Sequence, residues 1–395
     1  MRNPSRTGLR LCVASSGLGH VKRGIETWAA DLGNELQRRG EQVLLCKGAG
    51  PSRESFEQVI PCWTRNSSPA KRMLACLPKS VAWRMGMGST YGIEQTTFAW
   101  NLIQILRKHQ IDVLHLQDPQ VAVLVQHALR LGWISTRTIL NHGTEEPSEF
   151  LRRISYVQHG APWHAEQAKA DGVWKETWTT IPNFIHEERF HPGECPEWRS
   201  ELRIPQNAVV ALVSSAIKPK HKRIDQLIRE FAIVLHQRAD LPLWWIIAGS
   251  GNEETDGMIK LGQELLGDRV RFLVGVPFER MASLYRAADM LVHGSFKEMM
   301  PQALLEATGS GLPCIIHAHP VMQWMIADGG VAVDQRVDGS VAQAIIRLTE
   351  NHQERKAMAK NARDHCVANF SREVVIDQIT NYYRRVGVPQ RSRSA

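Results

Sequence analysis

Residues 290–313 read MLVHGSFKEMMPQALLEATGSGLP. The short apolar run 290–293 predicts a buried strand. A glycine-containing loop follows, with Glu298 near its end. Pro301 falls where a helix starts, because its fixed φ and missing N–H suit the first helical position. That helix runs through Glu306 and stops at Gly309 and Gly311, and 313–316 opens another strand. A strand–loop–helix unit of this kind aims backbone N–H groups at whatever lies over the helix start, an anion site well suited to phosphate.

Two glutamates flank that start. Carboxylates repel phosphate, so the expected targets of Glu298 and Glu306 are hydroxyls, and each can accept two hydrogen bonds, as a sugar diol requires. Phosphate amides between two diol acceptors describe a nucleotide-sugar site. A plainer reading stands beside it: Gln302 and Glu306 are spaced i,i+4 and suit the wet face of an ordinary helix.

The string Glu298-Met299-Met300-Pro301-Gln302-Ala303-Leu304-Leu305-Glu306-Ala307, with Gly311-Leu312-Pro313 after it, resembles the E-x7-E signature of the retaining GT-B glycosyltransferases, and of family 4 in particular. The resemblance implies that Glu298 contacts the donor sugar and Glu306 the ribose hydroxyls. It implies two Rossmann-like domains with parallel sheets facing across a cleft, and a donor held chiefly by the second domain.

Composition restricts the partners. At 395 residues the chain has room for one large or two medium domains. Its 43% hydrophobic and 22% charged residues are ordinary for a globular protein. A net charge of +8 suits a polyanionic substrate, an anionic membrane surface or nucleic acid without choosing among them. The basic residues spread over both halves with no nucleic-acid-binding module, so no nucleic-acid partner is expected. Seven scattered cysteines, with no C-x-x-C pair, fit reduced thiols and a cytoplasmic location. The apolar run near the start is too short for a signal peptide, and nothing approaches the ~18 apolar residues of a spanning helix. Membrane contact is therefore expected to be peripheral, on the inner face of the cytoplasmic membrane.

From the start, 9–15 reads as a buried strand, followed by the loop Ser16-Gly17-Leu18-Gly19-His20, a helix over 23–39 and a strand over 43–46. This opening looks like a dinucleotide fold, but the G-x-G-x-x-G spacing fails at Lys22 and the next strand ends on Lys47-Gly48 rather than an acid. By the resemblance, Gly17 and Gly19 touch the donor phosphate and His20 stands on the acceptor side. A tight turn of small residues explains Gly17 equally well.

Residues 58–93 contain no acid but carry Arg65, Lys71, Arg72, Lys79 and Arg84, interleaved with Trp63, Met73, Trp83, Met85 and Met87. One reading is a basic amphipathic surface for an anionic membrane or a lipid-linked acceptor. The other is a solvated charged face over core methionines, with Pro69 and Pro78 interrupting any long helix.

Further buried strands are predicted over 111–117 and 136–142, with a helix over 121–131 between them. His142-Gly143 ends the second, where ligands sit in open α/β sheets, and the resemblance places His142 near the donor sugar. Asp118, at the preceding strand end, is assigned to orienting an acceptor hydroxyl. The passage 180–192 resembles the family's entry into the second domain, with Phe184 and His186 replacing the usual Gly and Asp, and 193–203 suits a linker.

The second α/β half opens with a strand over 208–215. The following Ala216-Ile217-Lys218-Pro219-Lys220-His221-Lys222-Arg223 stands where relatives read roughly G-R-L-x-x-x-K-G, whose Arg and Lys neutralise the diphosphate. Ala216 replaces the arginine, Lys222 inherits the lysine role, and either Lys218 or Lys220 stands in for the missing cation. Strands over 243–249 and 270–276 each close on glycine, and the resemblance sets Gly249 and Gly275 beside the nucleotide, with Met299, Met300 and Ala303 at the diphosphate. Helices are expected over 278–288, 340–349, 353–369 and 371–386.

The implied organisation is an acceptor-side domain over 1–190, a nucleotide-sugar domain over 205–370, a helix over 371–388 crossing back to the first domain, and a disordered tail over 389–395. The implied reaction moves a hexose-type sugar, with retention, from a nucleotide diphosphate sugar (UDP or GDP expected) to a hydroxyl of a saccharide or lipid-linked acceptor, as in making a cell-envelope polysaccharide or glycolipid. His142, Glu298 and Lys222 form the catalytic set. No cofactor and no metal are expected: the chain has no D-x-D or H-E-x-x-H pattern. A nucleotide-sugar epimerase and a non-catalytic saccharide-binding module of the same fold are the alternatives.

Overall fold

The computed structural model describes residues 8–21 and 23–387. The chain divides into two compact units, one of Met1–Pro182 with Ile376–Ala395 and one of Asn183–Val375.

The first unit holds β1 (Arg10–Ser15), β2 (Gln42–Lys47), β3 (Glu57–Val59), β4 (Val113–Leu116), β5 (Arg137–His142), β6 (Tyr156–His159) and β7 (Thr179–Thr180). They form one sheet in the order β3-β2-β1-β4-β5-β6-β7, with every paired strand parallel. The second unit holds β8 (Val209–Ser214), β9 (Leu243–Gly249), β10 (Val270–Val274), β11 (Met290–Val292), β12 (Cys314–His317) and β13 (Gly330–Val333). Their order is β10-β9-β8-β11-β12-β13, again all parallel. Both units are Rossmann-like. A parallel sheet is covered by helices on both faces, which is why its central strands are near-continuous apolar runs such as VVALVS and LWWIIAG.

In each sheet the order reverses direction beside the first strand, and such a switch point opens a crevice at the strands' C-terminal ends. The loop 16–20 leaves β1 there, and the loop 215–223 leaves β8 in the same way.

Several expectations need correction. Pro301 is the N-cap, not the first helical residue: its ψ of 121° is extended and the helix is Gln302–Gly309. Residues 193–203 are not a linker. They carry the helix Pro196–Glu201, whose buried Trp198 donates to Ser283 Oγ at 2.8 Å, while Arg199 pairs with Asp289 at 2.8 Å. Pro196 reads as a linker residue in sequence but serves the first turn of this helix. Along the chain the two compact units divide at 182/183.

Pro69 and Pro78 do set helix boundaries, giving the short helices Ser68–Cys76 and Lys79–Arg84. The methionines beside them are not core, however: Met85 is 49% exposed and Trp83 73%. The long helix Thr90–Lys108, which the sequence reading does not assign, follows. Its buried face mixes Ile93, Phe98 and Leu102 with Glu94, Gln95 and Thr96, so polar residues blur its apolar period.

The last helix is Arg372–Gly387, and from Ile376 it belongs with the first unit. There the Tyr383 hydroxyl meets His115 Nδ1 at 2.8 Å and Tyr382 donates to the Thr177 carbonyl at 2.7 Å. The expected tail 389–395 lies outside the described residues. Among those residues all seven cysteines are free thiols, and no helix is long and apolar enough to cross a membrane.

Candidate active site

In the second unit the glutamates of the opening motif are both anchored. Glu298 forms an ion pair with Lys222. His293 Nε2, just past β11, stands 3.5 Å from Glu298 Oε1, and His221 Nδ1 stands 4.0 Å away. Burial favours the neutral acid, but His293 and Lys222 more than offset it and hold the Glu298 carboxyl well below the usual range. Glu298 is thus a fixed anion that can only accept hydrogen bonds.

Glu306, on the helix Gln302–Gly309, accepts a hydrogen bond from Tyr285 at 2.8 Å. The Tyr285 oxygen also lies 2.9 Å from Ser214 Oγ, at the end of β8. Tyr285 is fully buried, and burial with Glu306 beside it pushes its phenol well up. It therefore stays a neutral donor. Both glutamates meet the requirement for diol recognition, acceptor oxygens held in fixed orientation.

Between them lies the start of the helix Gln302–Gly309. Its first amides precede any i−4 acceptor, a property of every helix start, although Leu304 N–H already donates to the Pro301 carbonyl at 3.1 Å. Ala303 sits in this turn, half-buried like Met299. Met300 is buried, and its Sδ accepts from the Asn183 backbone amide at 3.1 Å. Lys218 and Lys222 both lie on the β8 exit loop. Arg223 follows at φ 54°, the left-handed conformation, which explains why the family pattern has glycine here. Its guanidinium lies over the Phe296 ring at 3.8 Å. Gly249 ends β9, and a Cβ there would come within 1.7 Å of the Ser215 carbonyl oxygen, so the adjoining backbone alone requires glycine. The Gly275 amide donates to the Gly249 carbonyl at 2.8 Å.

In the first unit the β1 exit loop closes over a buried polar cluster. Asp118, after β4, accepts from Ser16 N at 3.2 Å and Ser16 Oγ at 2.7 Å. Burial pushes its carboxyl up to about 6 against the pull of the Ser16 bonds, with Glu26 and Glu94 adding to the rise. Glu94 is fully buried. It takes His20 Nε2 at 2.9 Å and several donors of Arg65, including the backbone amide at 2.6 Å, and these outweigh burial to keep its carboxyl below the usual range. Gly17 backs onto Glu26, whose Oε1 would sit 2.1 Å from an added Cβ. Gly19 turns the loop with φ 98°. His20 and Asp118 thus belong to one constellation. His142, at the end of β5, belongs to another: its Nδ1 meets His159 Nδ1 at 3.1 Å, and its Nε2 lies 3.9 Å from Glu146 Oε2.

Tyr285, Ser214, His293, Glu94 and His159 join these sites without a place in the motifs, and Arg65, expected on a basic surface, turns instead to Glu94. Only Glu94 carries a signal, as the acid that closes the acid-free run 58–93.

Two Rossmann-like parallel sheets, with anchored acids beside a helix start, define a GT-B protein. Solved structures agree. Sucrose-phosphate synthase from Thermosynechococcus elongatus matches with a TM-score of 0.77 at 19% identity, over 96% of this chain and 99% of that one. Anabaena HepE in complex with UDP and glucose matches with 0.72 at 16%, over 95% and 100%. The family model for glycosyl transferases group 1 matches residues 195–365, and that for glycosyltransferase family 4 matches residues 22–189. The chain belongs to this group 1 and family 4 class of glycosyltransferases. A D-inositol 3-phosphate glycosyltransferase of Corynebacterium urealyticum is 30% identical over 208 residues, 50% of this chain and 48% of the relative. Its counterpart from Streptomyces avermitilis is 31% identical over 219 residues, 53% and 43%. The matched segment spans about half the length of these curated relatives.

Proposed function

We propose that the chain transfers a hexose-type sugar, with retention at the anomeric carbon, from a nucleotide diphosphate sugar to a hydroxyl acceptor. The observation that carries this is the pairing of two anchored, accept-only carboxylates, Glu298 and Glu306, on either side of one helix start. Glu306 binds the ribose hydroxyls and Glu298 the hydroxyls of the transferred sugar. The amides at 302–303, with Lys222 and Lys218, take the diphosphate. Negative charge builds on it as the sugar–oxygen bond breaks, and fixed donors and cations lower that barrier most. Retention rests on the E-x7-E resemblance, with the leaving phosphate accepting the acceptor's proton on the face it departs from. His142 contacts the transferred sugar; His20 and Asp118 orient the acceptor.

UDP is the proposed nucleotide, supported by the UDP and UDP-glucose complexes of Anabaena HepE. The acceptor class is a polyol or saccharide, free or lipid-linked, in keeping with the inositol phosphate relatives and the basic, tryptophan-bearing surface at 63–87. Thermal melting with UDP-, GDP- and ADP-sugars tests the donor, since a ligand that binds only the folded chain raises the melting temperature by mass action. Stabilisation by one nucleotide sugar, with Glu298-dependent release of nucleoside diphosphate, is the expected result. No stabilisation by any of them, or turnover unchanged in Glu298→Gln, removes the proposal. A changed sugar without added acceptor would favour the epimerase.

A further inference from the structure

His142 and His159 end neighbouring parallel strands in register. Their rings meet edge to face at 77°, with the two Nδ1 atoms 3.1 Å apart. Two imidazole nitrogens at that distance share one proton: one ring donates and the other accepts. Both rings cannot carry a proton on Nδ1, so at least one of them is neutral.

The surroundings identify it. His159 is fully buried, stacked on Trp174 at 21° and 5.9 Å and packed against Trp178 at 5.4 Å. Desolvation, then the charge of nearby His164, pushes its imidazolium down to about 3. Its Nε2 is buried and finds no hydrogen-bond partner among the described residues. A proton on that nitrogen would be an orphaned donor, which folded proteins rarely tolerate. The proton of His159 therefore belongs on Nδ1, where His142 accepts it. His142 then carries its own proton on Nε2, which at 3.9 Å from Glu146 Oε2 is too far for a hydrogen bond but near enough for electrostatic attraction. The reverse neutral arrangement would set a lone pair against the Glu146 oxygen, a repulsive contact whenever that acid is ionised; burial pushes the Glu146 carboxyl up, against the pull of its Thr144 hydrogen bond.

We propose that His159 is a positioning residue that fixes His142 as a hydrogen-bond donor at Nε2 and denies it the role of general base. With Nδ1 occupied and Nε2 protonated, neutral His142 has no lone pair to offer an acceptor hydroxyl. It can only donate, to a sugar hydroxyl or another ligand oxygen. The consequence for transfer rests on the assignment of His142 to the transferred sugar, but the proton placement does not.

The test is long-range proton–nitrogen correlation NMR of the full-length, ¹⁵N-histidine-labelled protein without ligand, assigned with His142→Gln and His159→Gln. The expected pattern is pyrrole-type Nδ1 in His159, the less common tautomer of free imidazole, and pyrrole-type Nε2 in His142, each favoured by at least about tenfold. His159 protonated on Nε2, or His142 pyridine-type at Nε2, overturns the proposal. A second arm compares His159→Phe, which keeps a ring but loses the donor, with His159→Gln, whose amide N–H can replace it. Expected are mixed His142 tautomers in the phenylalanine variant and one restored tautomer in the glutamine variant. Identical His142 spectra in both variants would mean that His159 only fills space. These readouts need no turnover, so absence of transfer from UDP-glucose would count against the proposed reaction and leave the tautomer assignment standing.

Discussion

The Tyr285 hydroxyl and the Glu306 carboxylate lie 2.8 Å apart at the end of the family motif. A carboxylate can only accept, so the single phenol proton is committed to Glu306, and the Ser214 hydroxyl 2.9 Å away is left to donate to the Tyr285 oxygen. A residue on the preceding helix thereby orients the acid proposed to grip ribose. Tyr285→Phe keeps the buried ring and deletes this donor. The expected result is UDP binding weakened about five- to tenfold, with unfolding stability changed by about 1 kcal/mol or less. Calorimetric titration with UDP and urea unfolding measure the two, and unchanged UDP affinity would refute the role.

Glu298 depends on its cationic neighbours. Its folded-state carboxyl lies below the ordinary value of 4.5, so the stability it contributes is present above that pH and is lost as pH falls toward the folded value. The stability difference between wild type and Glu298→Gln should therefore be constant from neutral pH to about 5 and shrink below about 4.5. Lys222→Met should shrink it at every pH. A difference that grows on acidification contradicts this pairing.

Asp118 shows the opposite sign. Its folded value of about 6 exceeds the ordinary 3.8, so its charged form destabilises the fold and the cost appears as pH rises between those values. Asp118→Asn should stabilise the protein by about 1–3 kcal/mol at pH 8 and by almost nothing at pH 3.5. If this carboxylate orients the acceptor, transfer should fall while thermal stability rises, a common trade at functional sites. Thermal melts at the two pH values, with transfer assays beside them, check both parts.

Metal independence is testable directly. Among the described residues no three His, Cys, Asp or Glu side chains gather to hold an ion, and the proposal assigns the charge-stabilising role to Lys222 and the helix start. Transfer should survive incubation with EDTA within about twofold, whereas a reaction that used a divalent ion as Lewis acid would lose orders of magnitude. Loss restored by added magnesium would reject the claim.

The surface around Trp83 gives a fifth expectation. Trp63, Val81, Trp83 and Met85 are exposed among Lys71, Arg72, Lys79 and Arg84, with no acid between 58 and 93. Aromatic and basic side chains together suit the interface of an anionic bilayer. The protein should co-sediment with vesicles containing phosphatidylglycerol and not with phosphatidylcholine alone. The double variant Trp83→Ala, Arg84→Gln should weaken that binding about tenfold. Equal binding to both vesicle types would refute it.

Much of this architecture is legible along the chain. Apolar runs such as 208–215 and 243–249, alternating with helical periods, specify parallel sheets, because a strand covered on both faces must be apolar throughout. The motif from Glu298 to Glu306 places two acids at a helix start through local geometry alone, and the anchored glutamates occupy those positions. Where local signals mislead, the cause is also local. Pro196 suits a linker until Trp198 finds a buried site, and the period of Thr90–Lys108 is blurred by the polar residues that build the cluster beneath the β1 loop.

Periodicity and spacing thus specify two α/β halves and the acid pair, since each of those properties depends on residues within one or two turns of one another. The partners of those residues come from elsewhere in the chain. Ser16 meets Asp118 across 102 positions, Lys222 meets Glu298 across 76, and His142 meets His159 only because β5 and β6 pair in that register. Strand order and register arise from packing the whole domain, and no local pattern encodes which strand ends become neighbours. Charge state and tautomer follow from that packing, because both are set by burial and by the group opposite.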